Sequence, residues 1–427
     1  MEMLNLMRSR FQVQEKREDR LSGLPADVLH SILGVLPLKD AVRTSALSTR
    51  WAHKWLHALA ASAVLDFTDR DLVRGQSPAQ ITATVDRVLA IHGAAPIHVF
   101  RVALSPLDEL GQNVVVGWVA AALGRGAREV GVDLARRGVL DYAKGRASLL
   151  QLPGDLFQVE NSLSVLSLGR CSLRDVPPGA AGLAGLTSLS LDRVDVTDDD
   201  VRDVVSECRL LEFLSLRSCH LLVSVRVAGE RLRGLEIVGC LSMRHLRVAA
   251  PALESLAYHG EILYYRDDAY ETAPVEFIGK DNTRRNGSDA VTPELRDAYL
   301  SHLGLGGYDE LIHEFAYSGF LEEVAHARIL TLCSVGLLHI EETRIFYELT
   351  MYTPNLEEVQ LLMDTMSDGD VNRFCGFFGL TEPPLLERLF VRVNILFLVN
   401  AIHCRLITSA NSRIVLAAPS RRLRGHY

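Results

Sequence analysis

The sequence predicts an α+β protein in which a small three-helix module is followed by an α/β solenoid. Apolar residues recur at helical spacing near the start of the chain, and the pattern L-x-x-L-x-L recurs through its middle every 21 to 25 residues. The composition, 48% hydrophobic and 23% charged, is that of an ordinary folded protein. A length of 427 residues favours two or more packed units.

The helical module is predicted at residues 18–62. Apolar residues of its first helix form one stripe: Val28, Leu29, Ile32, Leu33 and Leu36. Proline opens this helix at Pro25 and ends it at Pro37.

Two more helices complete the module. The second is predicted from Leu38 or Lys39 to about Ala46, and Ser48 or Thr49 caps the third. One side of the third is apolar: Leu47, Trp51, Trp55 and Leu59. So small a unit buries little surface by itself, so its apolar side chains pack either on its own core and the next domain or on another protein.

The middle of the chain, residues 91–260, is a repeat. The L-x-x-L-x-L template fits five segments in register: Leu163/Leu166/Leu168, Leu186/Leu189/Leu191, Leu211/Leu214/Leu216, Leu232/Leu235/Ile237 and Leu253/Leu256/Tyr258. This period is that of leucine-rich repeats. Cysteines follow three of these triplets: Cys171, Cys219 and Cys240. They resemble those of cysteine-containing leucine-rich repeats, which implies side chains that turn inward and satisfy backbone groups.

Weaker copies of the pattern lie within and around this block. Half-period strands are predicted at two segments, Leu222/Val225/Val227 and Met243/Leu246/Val248. Flanking copies stand at four more: Ile97/Phe100/Val102, Ala127/Val130/Val132, Leu356/Val359/Leu361 and Leu386/Leu389/Val391. One repeat carries a helix, capped by Thr197, whose first turn holds Asp198, Asp199 and Asp200. Three adjacent aspartates fit either a helix start or a cation site.

The remaining segments are predicted from the loss of these patterns. Residues 1–17 are expected to be a disordered N-terminus, 63–90 a linker, and 261–320 a polar insertion with one helix after Pro293. Residues 321–393 are expected to hold C-terminal repeats, and 394–427 an irregular tail.

Several functional classes are disfavoured. A net charge of −8 argues against a general nucleic-acid binder, and no apolar run is long enough to cross a membrane. Seven cysteines without C-x-x-C spacing fit a reducing compartment, so we expect a cytoplasmic or nuclear protein. No catalytic or phosphate-binding motif is present, so we expect no enzyme, no metal and no cofactor.

The ordered set of residues from Asp19 to Trp55 resembles the F-box, in the version found in plant F-box proteins with C-terminal leucine-rich repeats (F-box/LRR, FBD-like). Its matching residues are Leu24-Pro25, Leu29, Ile32-Leu33, Leu36-Pro37, Lys39 to Val42, Arg43-Thr44-Ser45, Leu47-Ser48, Arg50-Trp51 and Trp55. The resemblance implies that the module binds a Skp-type adaptor and, through it, a cullin. The adaptor contacts implied are Leu24, Pro25, Leu29, Ile32, Leu36, Pro37 and Val42. Leu33, Leu47, Trp51 and Trp55 fit either contact or internal packing.

The function this resemblance implies is substrate recognition in an SCF-type (Skp adaptor–cullin–F-box) ubiquitin ligase, with the repeats binding an unidentified target protein. Residues that alternate with the core leucines point away from the core and form the candidate target surface: Ser190, Asp192, Ser215, Arg217, Glu236 and His259, with Arg226, His245 and Arg247 on the half-period strands. One alternative is a protein-interaction scaffold that binds the adaptor without promoting ubiquitination. Another is a hydrolase or transferase within the repeats.

Overall fold

The chain divides into two units, residues 1–101 and 102–427, in a computed structural model. The residues that the structure describes are 23–36, 38–47, 49, 51, 54–60, 62–68, 77–104, 109–134, 149–173, 176–177, 179–260, 275–277, 295–302, 320–333, 353–363, 377–378, 381, 383–393 and 415–417. The predicted disordered N-terminus and Pro37 lie outside this set.

Three short helices open the first unit, as predicted. They are α1 (Ala26–Val35), α2 (Leu38–Arg43) and α3 (Lys54–Ala60), and a 3-10 turn, Thr44–Ala46, continues α2. The third helix begins five residues after Thr49, so Thr49 does not cap it and Trp51 precedes it.

Residues 63–90, predicted to be a linker, instead hold regular structure. A strand, β1 (Val64–Phe67), is hydrogen-bonded to β2 (Val99–Ala103), and α4 (Pro78–His92) lies between them in the chain. Ser77 and Gln80 form a reciprocal capping box at the start of α4. The prediction was wrong because serine and proline, which suggest a loop, are equally the residues that begin a helix.

In the second unit, α5 (Glu109–Gly124) is followed by a long parallel sheet. Neighbouring strands follow one another in the order β3 (Glu129–Asp133), β5 (Val165–Gly169), β7 (Ser188–Asp192), β8 (Phe213–Arg217), β10 (Gly234–Val238), β12 (Ser255–Gly260), β14 (Asp297–His302), β15 (Ile329–Cys333), β16 (Glu358–Met363), β17 (Arg388–Val393) and β18 (Val415–Ala417).

The leucine template explains this sheet. The last two template positions of each repeat lie on one face of its strand and pair in register with those of the next repeat. Leu189 therefore lies opposite Leu214, and Leu214 lies opposite Leu235. All fifteen residues of the five full triplets are buried. Stacked leucines therefore form the core beneath one face of the sheet, and the alternating residues occupy the other face.

Shorter elements lie between these strands. A second parallel sheet has the order β13 (Val275–Phe277), β11 (His245–Ala249), β9 (Ser224–Ala228), and β4 (Leu150–Gln151) pairs with β6 (Cys171–Ser172). Both predicted half-period strands are thus confirmed. The predicted helix is α6 (Asp198–Glu207), capped by Thr197, and two 3-10 turns, Gly154–Phe157 and Ala181–Leu183, occupy the corresponding place in earlier repeats.

The C-terminal half is more regular than predicted. The polar insertion contains β14, which pairs with β12 and β15 as a full member of the main sheet, so a strand stands where a helix after Pro293 was expected. The tail contributes β18, which pairs with β17. Both flanking C-terminal copies are confirmed as β16 and β17. Among the described helices, none combines the length and the hydropathy that crossing a bilayer requires.

Candidate functional site

The first candidate surface is the outward side of the three-helix module. Helix α1 is apolar on two faces: Leu29 and Leu33, one turn apart, point into the core, whereas Val28 and Ile32, also one turn apart, point outward. We call the exposed set the N-terminal apolar surface; its members and exposed fractions are Val28 (41%), Ile32 (36%), Val42 (37%) and Leu47 (57%). A module with a closed core and this much exposed aliphatic surface is suited to a protein partner.

The predicted adaptor contacts divide between this surface and the core. Pro25, Ile32 and Val42 are exposed, whereas Leu24 and Leu36 pack against the core from its edge. Leu29 is a correction, since it is 0% exposed. Helical spacing identifies an apolar stripe but not which half of it is covered. The core itself consists of four buried residues: Leu29, Leu33, Ala41 and Trp51.

The second candidate surface is the polar face of the main sheet, formed by the residues that alternate with the buried leucines. Its centre is a three-membered cluster on β8 and β10. Ser215 Oγ donates to Glu236 Oε2 at 2.8 Å, and Arg217 Nη2 donates to Glu236 Oε1 at 2.6 Å. The Arg217 Nε also donates to Ser215 Oγ at 3.3 Å. Three predicted target-binding residues are therefore joined by mutual hydrogen bonds.

The other predicted target residues have different surroundings. Asp192 lies opposite Arg217 in the sheet, and its carboxylate accepts from Arg193. His259 Nδ1 is 3.0 Å from Ser301 Oγ, and burial lowers the pKa of this histidine. Ser215 and His245 correct the prediction, because both are buried and offer no direct contact to a target. Ser215 is hydrogen-bonded to Glu236 on β10, and His245 Nδ1 lies 3.4 Å from Ser224 Oγ on β9.

Sequence reasoning missed the part of the polar face that β14 contributes. Ser255 Oγ donates to Asp297 Oδ1 at 2.6 Å, and burial raises the pKa of Asp297. Tyr299 stands in the same row as Glu236 and Ala257 and opposite Thr331. The sequence pattern that could have revealed β14 is the triplet Leu295/Ala298/Leu300, whose central alanine departs from the leucine template.

A third feature is a row of residues that each directly precede a strand. From β8 to β17 this row is Glu212, Arg233, Glu254, Arg296, Arg328, Glu357 and Glu387. Arg233 forms an ion pair with Glu254, and Arg328 Nη2 lies 2.6 Å from Glu357 Oε1. These pairs join consecutive repeats on the solvent side, where water and salt screen them strongly. We assign this row a structural role.

The cysteines that follow the template triplets behave as predicted. Cys219 Sγ lies 3.7 Å from the Leu191 carbonyl oxygen, and Cys240 Sγ lies 3.6 Å from that of Leu216. Cys171 Sγ donates to the Gly169 carbonyl oxygen, and burial raises the pKa of the Cys171 thiol to about 12. A buried thiol that is protonated at neutral pH and hydrogen-bonded to the backbone is structural.

The three adjacent aspartates each have a protein partner. Asp198 accepts hydrogen bonds from the Val223 and Ser224 backbone N–H groups at 2.9 Å, which tie α6 to β9. Asp200 accepts from Thr197, and Asp199 accepts from Arg202. Within the described ranges, no group of three or more potential metal ligands comes together. Only Asp200 belongs to the cap of the helix, whereas Asp198 and Asp199 bind other parts of the protein.

Comparison with known proteins defines the class of the repeat region. The family model described as "At1g61320/AtMIF1, LRR domain" matches residues 88–274, from within α4 to the segment after β12. Over the matched residues, the stacked parallel strands are therefore similar to those of a leucine-rich-repeat domain.

Relatives named as F-box proteins extend this match. The F-box/FBD/LRR-repeat protein At1g13570 of Arabidopsis thaliana is 26% identical over 360 residues, 80% of this chain and 76% of the relative. From the same plant, the F-box/LRR-repeat protein At3g59200 is 30% identical over 253 residues (58% and 42%), and the F-box protein At5g03100 is 29% identical over 230 residues (54% and 63%). The chain spans about half the length of the other curated relatives it matches, from 42% to 63%. The resemblance to plant F-box proteins with leucine-rich repeats is confirmed.

Proposed function

We propose that this chain is the substrate-recognition subunit of an SCF-type ubiquitin ligase. The N-terminal apolar surface binds a Skp-type adaptor and through it a cullin, and the repeats, as a solenoid, hold a target protein. The chain contributes proximity, since it raises the effective concentration of target lysines near the conjugating enzyme, and it performs no catalysis itself. On this proposal it acts in the cytoplasm or the nucleus.

The observation that supports adaptor binding is the second apolar face of α1. Leu29, Leu33 and Trp51 already close the core, so the module does not need Val28 and Ile32 for its own packing. Covering an aliphatic side chain fully contributes about 1.5–3 kcal/mol, so covering the exposed third of Ile32 adds roughly 0.5–1 kcal/mol. Several such side chains together favour burial against a partner protein over continued exposure.

The observation that supports target binding is the polar face of the main sheet. Hydroxyl, carboxylate, guanidinium, imidazole and phenol groups stand on adjacent strands at fixed spacing, because the strands pair in register. Such an array offers hydrogen-bonding groups at defined positions to an extended or folded protein surface.

The decisive experiment is adaptor capture by full-length variants. We expect Ile32→Glu with Val42→Glu to abolish co-purification with a Skp-type adaptor, because two charges would be buried in an apolar contact. The matched control is Leu221→Glu with Val159→Glu, which places the same charges on exposed aliphatic positions of the second unit. Capture that survives the first pair, or is lost equally with the control pair, refutes the assignment.

Target turnover separates this proposal from the scaffold alternative. A substrate receptor shortens the half-life of proteins that bind its polar face, whereas a scaffold captures the adaptor and leaves those half-lives unchanged. Candidate targets are the proteins that co-purify with the wild-type chain, but not with Glu236→Arg, when degradation is blocked. The half-lives of these proteins are then measured with and without the chain.

A further inference from the structure

Lysine is almost absent from this chain. Of its 45 basic residues, five are lysines, at positions 16, 39, 54, 144 and 280, and the other 40 are arginines. Residues 145–279 contain none, and neither do residues 281–427. Every described strand from β4 onward therefore lies in a lysine-free stretch. An even use of the two residue types would have placed roughly 22 lysines in the chain, since both are ordinary surface residues.

Ion-pair geometry explains only some of these arginines. Arg217, Arg233 and Arg328 donate to glutamates, where the planar guanidinium is well suited. Arg209, Arg231 and Arg392 are exposed and form no ion pair with another described residue. At such positions a lysine would supply the same charge and a similar aliphatic stem. A structural need for the guanidinium thus does not account for the exclusion of lysine.

Lysine and arginine differ in their ability to accept an acyl group. In ubiquitin transfer a neutral lysine amine attacks the carbonyl carbon of a thioester on the conjugating enzyme. The C–N bond of an isopeptide forms, the C–S bond breaks, and the leaving thiolate takes up the proton that the amine loses. Lysine, with a pKa near 10.4, reaches the neutral form, whereas the guanidinium keeps its proton and delocalises its lone pairs.

We propose that the lysine-free repeat region directs ubiquitin to the target by withholding acceptor amines of its own. This inference rests on the proposed function above. A receptor is held near the conjugating enzyme for as long as the ligase is assembled, whereas a target is held there only while bound. Lysines along the repeats would therefore compete with those of the target at a constant and high effective concentration. Arginines keep the surface charged and soluble without that competition.

The test installs lysines where arginine has no structural task. Full-length Arg209→Lys/Arg231→Lys/Arg392→Lys is assembled with adaptor, cullin, conjugating enzyme and ubiquitin, beside wild type and a matched variant with glutamine at the same three positions. We expect the lysine variant to gain ubiquitin at the new positions and its unmodified form to disappear several-fold faster than wild type. The glutamine variant, which loses the charge but offers no amine, should match wild type. Equal thermal melting of the three proteins shows that folding is unchanged.

Two failures are distinguishable. If the assembled ligase modifies native lysines or a bound target while the three new lysines stay unmodified, arginine usage has no bearing on ubiquitin transfer and the inference is wrong. If the chain captures no adaptor, the proposed function fails and the inference fails with it. If the preference for arginine is only compositional and does not affect ubiquitin transfer, the three new lysines will stay unmodified in an active ligase.

Discussion

Replacing Leu29 by alanine tests the division of α1 into a buried and an exposed face. Leu29 is fully buried against Leu33 and Trp51, so its truncation leaves a cavity and costs about 2–5 kcal/mol. A module of this size has a total stability of only roughly 2–7 kcal/mol, so the three helices should open much more often. Ile32→Ala, at a position that is 36% exposed, should cost only about 1–2 kcal/mol.

Amide hydrogen exchange of the full chain measures this difference. Peptides from residues 26–60 should lose protection by about 30-fold or more in Leu29→Ala, which is the factor that 2 kcal/mol implies, and by clearly less in Ile32→Ala. Peptides from β7, β8 and β10 provide the internal reference and should be unchanged in both. Ile32→Ala should instead show the larger loss of adaptor capture. Equal or greater loss of helix protection in Ile32→Ala refutes the assignment of the two faces.

Three further predictions concern the second unit. Alkylation of the native protein should leave Cys171 and Cys208 unlabelled, because burial raises the pKa of each thiol to about 12, and denaturation should expose both to peptide-resolved mass spectrometry. Gly182→Ala should lower the free energy of unfolding by about 1–3 kcal/mol in a thermal melt, because its Cβ would stand 2.8 Å from two backbone carbonyl oxygens. The control is Gly117→Ala in α5, where the Cβ has open space, so this variant should be neutral or stabilising. As the pH falls below about 6.5, the wild type should lose more stability than His259→Asn does.

The direction of the pH effect follows from the sign of the shift. Burial lowers the pKa of His259 in the folded chain below the ordinary value of the unfolded one. As the pH falls through that ordinary value, the unfolded chain takes up a proton that the folded chain resists, so folding loses free energy. An identical pH slope in wild type and His259→Asn would contradict the lowered pKa of His259. Rapid labelling of Cys171 in the native protein would contradict the burial of its thiol. Equal melting temperatures of the two glycine variants would contradict the close approach at Gly182.

The sequence identifies the strands of this fold wherever the leucine template is complete. Leu189 and Leu214 are found because each repeat must place large aliphatic side chains at the same two positions. Strand β14 is missed because Ala298 fills a template position with a small side chain that the stacked neighbours still bury. The helix α4 is missed because its capping residues resemble a loop when read without the apolar face behind them.

The candidate site is less accessible to sequence reasoning than the fold. Adjacent apolar residues such as Leu29 and Ile32 differ in burial because of the helices packed beside them, and spacing alone does not carry that information. Ser215 is polar and alternates with leucines as a surface residue should, yet Glu236 on the neighbouring strand covers it. The position of a side chain on a strand is local information, whereas its exposure depends on the next repeat.

The charges of the polar face place a condition on any target. Arg217 and Glu236 are half-buried and satisfy each other, as Asp192 and Arg193 do. A target that covers such a pair removes water from both ions, which costs free energy unless the target replaces that water with hydrogen bonds of its own. Long-range charge attraction therefore contributes little to affinity at this centre. Selectivity should come from target groups that reach Glu236 or Arg217 in the right geometry. A well-placed guanidinium of the target would bind Glu236, and a well-placed carboxylate would bind Arg217, in place of the bond within the pair. A target with an apolar surface at this position would be rejected.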